Sequence, residues 1–248
     1  MTDYALVRIN LMTSPFDPQA LANDPNVLEM RARIARIGAL MYDRRLTDTA
    51  GGNISARVST PQGEVICMSP RYAGSRYLWA LTPDLVLVVD ADGNILVGDG
   101  EISRESKAHL RLHRVFHEAG TSVIHAHARN VLAFAAMARP MFPVLEATRK
   151  FGEVPVIRFA PSHSASLSEH IAEAMAGREA AIAKQGVGVI APWHGLFVMG
   201  KDLNAAYDAV ERIDTQAYIY LMSARAGASE GLAAERQAME DAIANFAE

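Results

Sequence analysis

Two stretches of the chain carry apolar residues in alternating steps of three and four, the spacing of one buried helix face. In the first stretch, which follows Pro25, the apolar positions are Val27, Met30, Ile34, Ile37 and Met41. In the second stretch they are Leu203, Ala206, Val210, Ile213, Ala217 and Leu221. Asp202 directly precedes the second stretch and is a residue type that caps helix N-termini. The pattern therefore predicts one helix after residue 25 and a long helix after residue 202.

Short runs rich in alternating and β-branched residues lie between these helices and predict strands. The predicted strands cover residues 53–58, 64–68, 85–89, 95–97, 122–127, 154–159, 187–191 and 196–199. A further helix is predicted from an N-cap at Ser103 to Gly120, and another near residues 167–176. Because the sequence lacks strict βαβ alternation and a glycine-rich phosphate loop, we expect a mostly antiparallel sheet flanked by helices.

Composition and charge narrow the class of protein. Of the 248 residues, 50% are hydrophobic and 21% are charged, which is typical of a folded chain with a sizeable core. The net charge is −4, with no run of five basic residues, so a nucleic acid partner is not expected. No apolar stretch approaches the roughly 18 residues that cross a bilayer, and residues 1–10 do not resemble a signal peptide. We therefore expect a soluble, cytoplasmic protein without a membrane partner.

The chain is expected to form one domain over residues 25–248, preceded by an N-terminal arm over residues 1–24. The arm contains two prolines and no sustained periodicity, so its order is expected to depend on docking. The single cysteine, Cys67, has no partner for an internal disulfide and lies in the apolar run 65–68. This position indicates a buried thiol.

The strongest candidate for chemistry is the pair of histidines in His125-Ala126-His127. Two imidazoles two residues apart on a strand project from the same face and can bind one divalent ion. A catalytic zinc usually takes three protein ligands, and His194, in a glycine-containing turn between two predicted strands, is the best candidate for the third. On spacing alone, a pair of exposed or hydrogen-bonded strand histidines is an open alternative.

Three other histidines step by four along the predicted central helix: His109, His113 and His117. Arg111 and Arg114 lie between them and disfavour a bound cation, so this stripe is interpreted as a polar helix face. His163 and His170 have no partner in the sequence and are interpreted as surface or structural residues.

Glu105 is a candidate for proton transfer because it lies at a predicted helix start about twenty residues before the histidine pair. The alternative is an acidic residue that only stabilises the helix dipole. Residues 49–55 combine glycines with small polar side chains, and their backbone N–H groups can hold an anion, although a plain tight turn is the default interpretation. Three basic residues can reinforce such an anion site: Arg71, Lys107 and Arg149.

Taken together, five motifs resemble the class II aldolase/adducin family in their order and spacing. They are Gly52-Asn53-Ile54-Ser55, Ser69-Pro70, Ser103-Arg104-Glu105, His125-Ala126-His127 and Trp193-His194-Gly195. The resemblance extends from about Val27 to Leu221, which is most of the chain. It is specific because all five motifs occur together at compatible distances.

The resemblance implies an α/β/α sandwich around a mostly antiparallel sheet and a homotetramer with active sites at subunit interfaces. It also implies a small-molecule substrate and a bound Zn²⁺ or another divalent ion such as Mn²⁺. The metal ligands would be His125, His127 and His194, and Glu105 would be the acid/base residue. Candidate substrate-binding residues are Gly52, Asn53, Ser69, Arg71, Ser103 and Arg104.

Several positions depart from the family pattern. The turn that supplies phosphate contacts in sugar-phosphate aldolases reads Ser69-Pro70-Arg71-Tyr72 here, and Arg104 stands where a second serine is common. Arginine binds phosphate, but its planar fork also fits a carboxylate. The tyrosine of fuculose-phosphate-type aldolases has no counterpart in residues 143–147, where Glu146 either substitutes as an acid or is an ordinary surface residue.

The resemblance leaves three functions to compare. The first is a metal-dependent aldolase that reversibly cleaves a C–C bond of a phosphorylated ketose or related hydroxy-ketone through an enediolate. The second is a decarboxylase or dehydratase of the same family, acting on a hydroxy-acid or sugar derivative whose carboxylate pairs with Arg71 or Arg104. The third is a non-catalytic, adducin-like assembly domain, which would not need to retain three metal-binding histidines and Glu105.

Overall fold

The centre of the molecule is a seven-stranded antiparallel sheet. The computed structural model describes residues 15–225 and 232–245. The strands are β1 Asn53–Thr60, β2 Gly63–Met68, β3 Leu87–Val89, β4 Ile95–Val97, β5 Ser122–Ala126, β6 Gly186–Ala191 and β7 Gly195–Gly200. The expected antiparallel sheet is confirmed. The strand order is β4-β3-β2-β1-β5-β7-β6. Strand β5 therefore lies inside the sheet between β1 and β7, and the turn between β6 and β7 lies next to the end of β5.

Helices cover both faces of the sheet, so the fold is the expected α/β/α sandwich. The helices are α1 Pro18–Ala22, α2 Pro25–Asp43, α3 Ala73–Tyr77, α4 Ser106–Val115, α5 Val131–Met137, α6 Ala165–Met175, α7 Glu179–Lys184, α8 Leu203–Arg225 and α9 Leu232–Ala244. Helices α2, α5 and α8 pack on one face, and α4, α6 and α7 pack on the other. Among the residues described, no helix is both long and apolar enough to span a membrane.

Alternation along β5 assigns its side chains to two separate cores. Ile124 and Ala126 belong to the core under α2 and α8, whereas Val123 belongs to the core under α4 and α6. His125 follows Val123 by two residues and therefore projects from the same face as Val123. Cys67 is fully buried, and burial raises the pKa of its thiol to about 12, as expected for an inert core cysteine.

The helices predicted from periodicity are present, and the cap predicted at Asp202 is confirmed. The Asp24 carboxylate accepts N–H groups at the start of α2, and the Asp202 carboxylate accepts the Ala205 N–H at 2.8 Å. Part of the predicted arm is docked, because Leu21 in α1 is fully buried in the main core. Residues 1–14 of that arm, and residues 226–231 and 246–248 of the predicted domain, lie outside the described residues.

Two predictions about local structure are wrong. Residues 154–159 form no strand and pair only through isolated bridges, one of them between Val156 and Ile190, because Pro155 has no N–H to continue a ladder. Ser103 is not the N-cap of α4, which begins at Ser106 with Glu105 in the cap position. The Ser103 Oγ instead accepts the Glu105 N–H at 3.2 Å in the preceding turn.

Candidate active site and metal centre

A cleft of about 380 Å³ opens at the end of β5 where five chain segments meet. The segments are the turn 49–53, residues 70–75, residues 103–105, residues 162–163 and the β6–β7 turn with Trp193 and His194. Most of the motifs singled out in the sequence therefore converge on one concave surface. Such clefts are the usual location of small-molecule sites.

The three histidines predicted as metal ligands lie together at the base of this cleft. Their ligand atoms all lie within 4.8 Å of one another. His125 and His127 come from the end of β5, and His194 reaches them from the β6–β7 turn because β7 pairs directly with β5. The His125 ring also stacks on Phe197, with ring centroids 4.1 Å apart.

Hydrogen bonds orient two of the imidazoles for metal binding. His125 Nδ1 donates to the Leu196 carbonyl at 3.0 Å, which leaves the Nε2 lone pair free. His127 Nδ1 lies 3.2 Å from the Asp48 carboxylate, and its Nε2 is buried without a protein partner. Contacts of this kind, in which the second ring nitrogen donates to an oxygen, are typical of histidine metal ligands.

The chemistry of this cluster fits a divalent metal. Burial lowers the pKa of His125 well below its ordinary value and that of His194 to about 4, so both rings are neutral near pH 7. Neutral imidazole is the form that ligates metal. Three histidines beside an open cleft match the ligand set of catalytic zinc sites.

Two glycines permit the close packing around these rings. A Cβ on Gly51 would lie 2.1 Å from His127 Cε1, and a Cβ on Gly195 would lie 2.6 Å from the Ala126 carbonyl oxygen and 3.2 Å from His125 Cε1. A side chain at Gly51 would displace the His127 ring, and one at Gly195 would clash with the Ala126 backbone. Gly51 and Gly195 are therefore required by the site itself.

Replacing Asp48 with asparagine is expected to lower the affinity for zinc by about 10-fold to 100-fold, the usual cost of losing such an outer contact. The carbonyl oxygen of asparagine can still accept the Ala50 and Gly51 N–H groups that Asp48 accepts now at 2.9 and 3.0 Å, so the turn persists while the negative charge is lost. Competition with a chromogenic chelator measures the change. Asp99→Asn, at an exposed site outside the cleft, is the control, and equal affinities for the two variants would contradict the role assigned to Asp48.

Glu105 lies at the side of the cleft next to His194. Its side chain is only 6% exposed, and its Oε1 lies 3.3 Å from His194 Nε2 and 3.0 Å from His163 Nδ1. Burial raises the pKa of Glu105 to about 7. A carboxyl group with a pKa near the working pH is suited both to taking and to returning a proton.

Five of the six predicted substrate-binding residues line the cleft: Gly52, Asn53, Arg71, Ser103 and Arg104. Asn53 Nδ2 donates to Ser103 Oγ at 2.8 Å, while Asn53 Oδ1 is buried and has no partner within residues 15–225 and 232–245. The sixth prediction, Ser69, is not supported. Ser69 is fully buried, and its Oγ accepts the Ile54 N–H at 3.0 Å, because its turn packs against β1 instead of facing the cleft.

The two arginines at the cleft differ in their partners. Arg71 forms an ion pair with Glu101 and lies over the Tyr72 ring. Arg104 is exposed and has no ion-pair partner among the described residues. Arg104 is therefore the arginine whose charge is available to an anionic ligand.

Glu146 and Arg149 are not brought to the cleft. Glu146 is exposed at the start of a 3₁₀ helix, Glu146–Phe151, and Arg149 pairs with Glu240 through a 2.9 Å hydrogen bond. Glu146 therefore lies on the surface of its own chain, away from the histidines. Its assignment as a catalytic acid has no support within this chain.

The interpretation of the histidine stripe on α4 was also wrong. His109 and His113 are buried against the sheet, and both contact Ser55 Oγ, at 2.7 and 2.8 Å. His117 alone is exposed, beside Glu64. The signal was present in the sequence, because His109, Leu112, His113 and Phe116 follow the i, i+3, i+4, i+7 spacing of a buried face.

His163 is a residue of the cleft that sequence reasoning missed. It was interpreted as a surface or structural residue, but its Nδ1 lies 3.0 Å from the Glu105 carboxylate. No periodicity marks it, because it belongs to the loop before α6. Only the folded chain brings this loop to the start of α4.

Comparison with known proteins gives relatives over most of the chain. It is 27% identical to L-fuculose phosphate aldolase of Methanococcus maripaludis over 190 residues, which are 76% of this chain and 94% of that protein. It is 29% identical to 3-oxo-tetronate 4-phosphate decarboxylase of Cupriavidus necator, over 78% of this chain and 84% of that protein. A solved L-fuculose 1-phosphate aldolase superposes with a TM-score of 0.69 at 21% identity, over 80% of this chain and 88% of that chain.

A protein-family model also matches this chain, independently of any single relative. Residues 32–221 match the model of the class II aldolase and adducin N-terminal domain. This range contains all five motifs and every residue of the histidine cluster, and the superposed structure has the same fold. The resemblance seen in the motifs is thus confirmed, and the chain belongs to the family of class II aldolase and adducin N-terminal domains.

Proposed function

We propose that this protein is a divalent-metal-dependent lyase that reversibly cleaves a C–C bond of a phosphorylated ketose or related hydroxy-ketone. The observation that carries the proposal is the cluster of three imidazoles with the Glu105 carboxyl group beside it in one cleft. A non-catalytic assembly domain would have no need for this arrangement. The names of the relatives, among them phosphate-ester aldolases, support the same class of reaction.

In the proposed reaction, each group in the cleft has a distinct task. A divalent ion held by His125, His127 and His194 supplies the positive charge that stabilises the negative charge developing on the substrate oxygens. The Glu105 carboxylate removes a proton from the substrate and returns it to the carbon that loses its bond. Asn53, Ser103 and the backbone of the turn 49–52 bind the phosphate end.

Zinc is the proposed ion, since three imidazoles and an open position suit it, with Mn²⁺ as the alternative. We also propose a homotetramer with the clefts at its subunit interfaces. The exposed Trp193, at 80% exposure beside His194, supports an interface there because large aromatic residues are enriched in such contacts. A cytoplasmic location stays a prediction.

A second candidate function is decarboxylation of an acid. The observation that favours it is Arg104, an arginine on the cleft without an ion-pair partner among the described residues, because a guanidinium group binds a carboxylate as well as a phosphate. The relative from Cupriavidus necator is named as a decarboxylase. In this reaction Glu105 would protonate the carbon from which carbon dioxide leaves.

Deuterium exchange separates the two candidates. Zinc-loaded protein is mixed with dihydroxyacetone phosphate in deuterated water, and NMR follows the loss of a C–H signal. We expect exchange with the wild type and a rate at least about 100-fold lower with Glu105→Gln, the usual contribution of an acid/base group. Glu118→Gln, at a surface site, should exchange like the wild type.

Each outcome of this experiment supports or contradicts one of the two candidate functions. Exchange that depends on Glu105 supports the aldolase. Bound zinc without exchange in the wild type contradicts the proposed aldolase, and release of carbon dioxide from phosphorylated oxo-acids would then support the second candidate. Exchange that survives in Glu105→Gln would remove Glu105 from the proposed chemistry.

A further inference from the structure

Arg71 and Glu101 are paired across two loops at the wall of the cleft. The Arg71 backbone N–H donates to the Glu101 carbonyl at 2.9 Å, and Pro70 and Ile102 form an isolated antiparallel bridge. These backbone contacts place the two residues side by side, and an ion pair joins their side chains through Arg71 Nη1. Because the backbone holds the two loops together, the side chains can separate and pair again without a change in the fold.

The pair with Glu101 satisfies the Arg71 guanidinium group only in part. The Arg71 side chain is 25% exposed and lines the cleft. Its Nε atom is buried and has no hydrogen-bond partner in the described part of the chain. A guanidinium group carries five N–H donors in a planar fork, and a buried donor without an acceptor is costly. An anion in the cleft that accepts from Arg71 would therefore stabilise this side chain.

Glu101 is a weak competitor for such an anion. Its carboxylate is 58% exposed, and exposed ion pairs contribute little to stability because water and salt screen them. A phosphate ester carries about two negative charges near neutral pH and accepts from both arms of an arginine fork. A phosphate group in the cleft is therefore expected to take Arg71 from Glu101.

Further positive charge lies at this wall of the cleft. Burial lowers the pKa of His163. Three nearby cations lower it further, and they are Arg104, Arg71 and Lys107. Arg104 also lines the cleft and has no ion-pair partner among the described residues. Release of Arg71 from Glu101 would thus make two guanidinium groups of the cleft available to one anion.

We propose that Arg71 is an anion-binding residue that changes partner, from Glu101 in the free protein to the phosphate group of the bound substrate. Glu101 is then a built-in competitor, which lowers the affinity for the substrate and takes Arg71 back when the phosphate-bearing product leaves. The inference rests on the proposed function for the phosphate, whereas the change of partner requires only an anionic ligand. It assigns a role to Glu101, which lies outside the five motifs.

A double-mutant cycle with inorganic phosphate tests the change of partner. Calorimetry measures the phosphate affinity of the zinc-loaded wild type, Glu101→Gln, Arg71→Gln and the double variant at one ionic strength. Arg71→Gln should bind phosphate about tenfold more weakly, the usual effect of losing a charged hydrogen bond. Glu101→Gln should bind it up to about fivefold more tightly, as expected from the loss of an exposed ion pair, but only when Arg71 is present. Phosphate bound to the zinc ion contributes to all four proteins and cancels in the cycle.

Arg76→Gln is the matched control for the loss of a positive charge. The Arg76 guanidinium lies over the same Tyr72 ring as that of Arg71, each at 4.6 Å, but Arg76 is exposed and does not line the cleft. Its loss should change the phosphate affinity by less than about twofold, because salt screens a charge outside the site. Glu101→Gln should still tighten binding in the Arg76→Gln background. Equal melting temperatures of all variants would show that the fold is retained.

The deuterium exchange assay with dihydroxyacetone phosphate separates binding from chemistry for the same variants. Glu101→Gln should lower KM without raising kcat. Arg71→Gln should raise KM more than it lowers kcat. Both results are expected because the pair acts on the phosphate group and not on the reacting carbon.

Failure of this inference is distinguishable from failure of the proposed function. If the cycle shows coupling between Arg71 and Glu101 but dihydroxyacetone phosphate exchanges nothing, the proposed aldolase fails and the change of partner stands. Equal effects of Glu101→Gln with and without Arg71 would overturn the inference, because Glu101 would then act only through its long-range charge. An unchanged phosphate affinity in Arg71→Gln would also overturn it, as would the absence of phosphate binding in both the wild type and Glu101→Gln.

Discussion

Replacing His194 with alanine is expected to abolish stoichiometric metal binding and to lower the rate of deuterium exchange by about a thousandfold or more. The substitution leaves two imidazoles at the end of β5, and two ligands hold a divalent ion weakly. Loss of the ion removes several kcal/mol of charge stabilisation in the transition state, and each 1.36 kcal/mol corresponds to a factor of ten in rate. Metal analysis after gel filtration, together with the NMR exchange assay, measures both effects.

His117→Ala is the matched control for this experiment. His117 is a histidine on the same chain, half-exposed after α4 and in contact with Glu64 and Glu118, and it should keep both metal and exchange. His194 lies in the β6–β7 turn, and its ring packs edge-on against His125 and Phe197, so the melting temperature of the metal-free protein should fall only modestly. One retained equivalent of metal per chain in His194→Ala would contradict the three-histidine site.

The architecture was predictable because it depends on local periodicity. The alternating steps in α2 and α8 and the short β-like runs each reflect which side chains face a core, and the structure contains these elements near the predicted positions. The strand predicted over residues 154–159 failed because strand formation also depends on a partner with free N–H and C=O groups. Pro155 has no N–H group, and Val156 pairs with Ile190 through a single bridge, so this segment cannot form a continuous ladder. The division into an arm over residues 1–24 and one domain over residues 25–248 stays a prediction.

The metal cluster was predictable for a different reason. His125 and His127 share a strand end, so their proximity follows from backbone geometry alone. His194 was a candidate because of its glycine-containing turn, but its approach to the pair depends on the pairing of β5 with β7, which periodicity does not predict. Ser69 and Glu146 do not line the cleft, because the direction of a side chain in a turn depends on what the turn packs against.

Lowering the pH from 7 to 5 is expected to destabilise the metal-free protein through His109 and His113. Both rings are buried at Ser55 Oγ, and His109 Nε2 and His113 Nδ1 have no hydrogen-bond partner in the described part of the chain. Burial lowers the pKa of His109 to about 3. Burial also lowers the pKa of His113, with smaller contributions from the charges of His109, Arg57 and His117.

The direction of this stability change follows from the number of protons that the folded and the unfolded states bind. In the unfolded chain both histidines have a pKa of about 6.5. Below that pH the unfolded state therefore binds more protons than the folded state, in which both rings stay neutral. The free energy of unfolding therefore falls as the pH falls, and near pH 7 this effect is nearly absent. Between pH 7 and 5 the loss is about 2 kcal/mol for His109, and His113 adds to it in the same direction. The two together remove a large share of the roughly 5–15 kcal/mol that stabilises a typical domain.

Urea unfolding of metal-free protein at pH 7 and pH 5 measures this loss. The double variant His109→Gln, His113→Gln cannot take up these protons and should lose less stability than the wild type over the same range, while the buried ligand His125 affects both proteins equally. NMR titration of the ring C–H signals provides a second measurement on the wild type, which does not depend on the folding of the variant. Signals of His109 and His113 that stay unshifted down to pH 5 support the prediction. Folded-state pKa values near 6.5 would contradict it, because protonated rings at Ser55 would mean that water reaches this buried site.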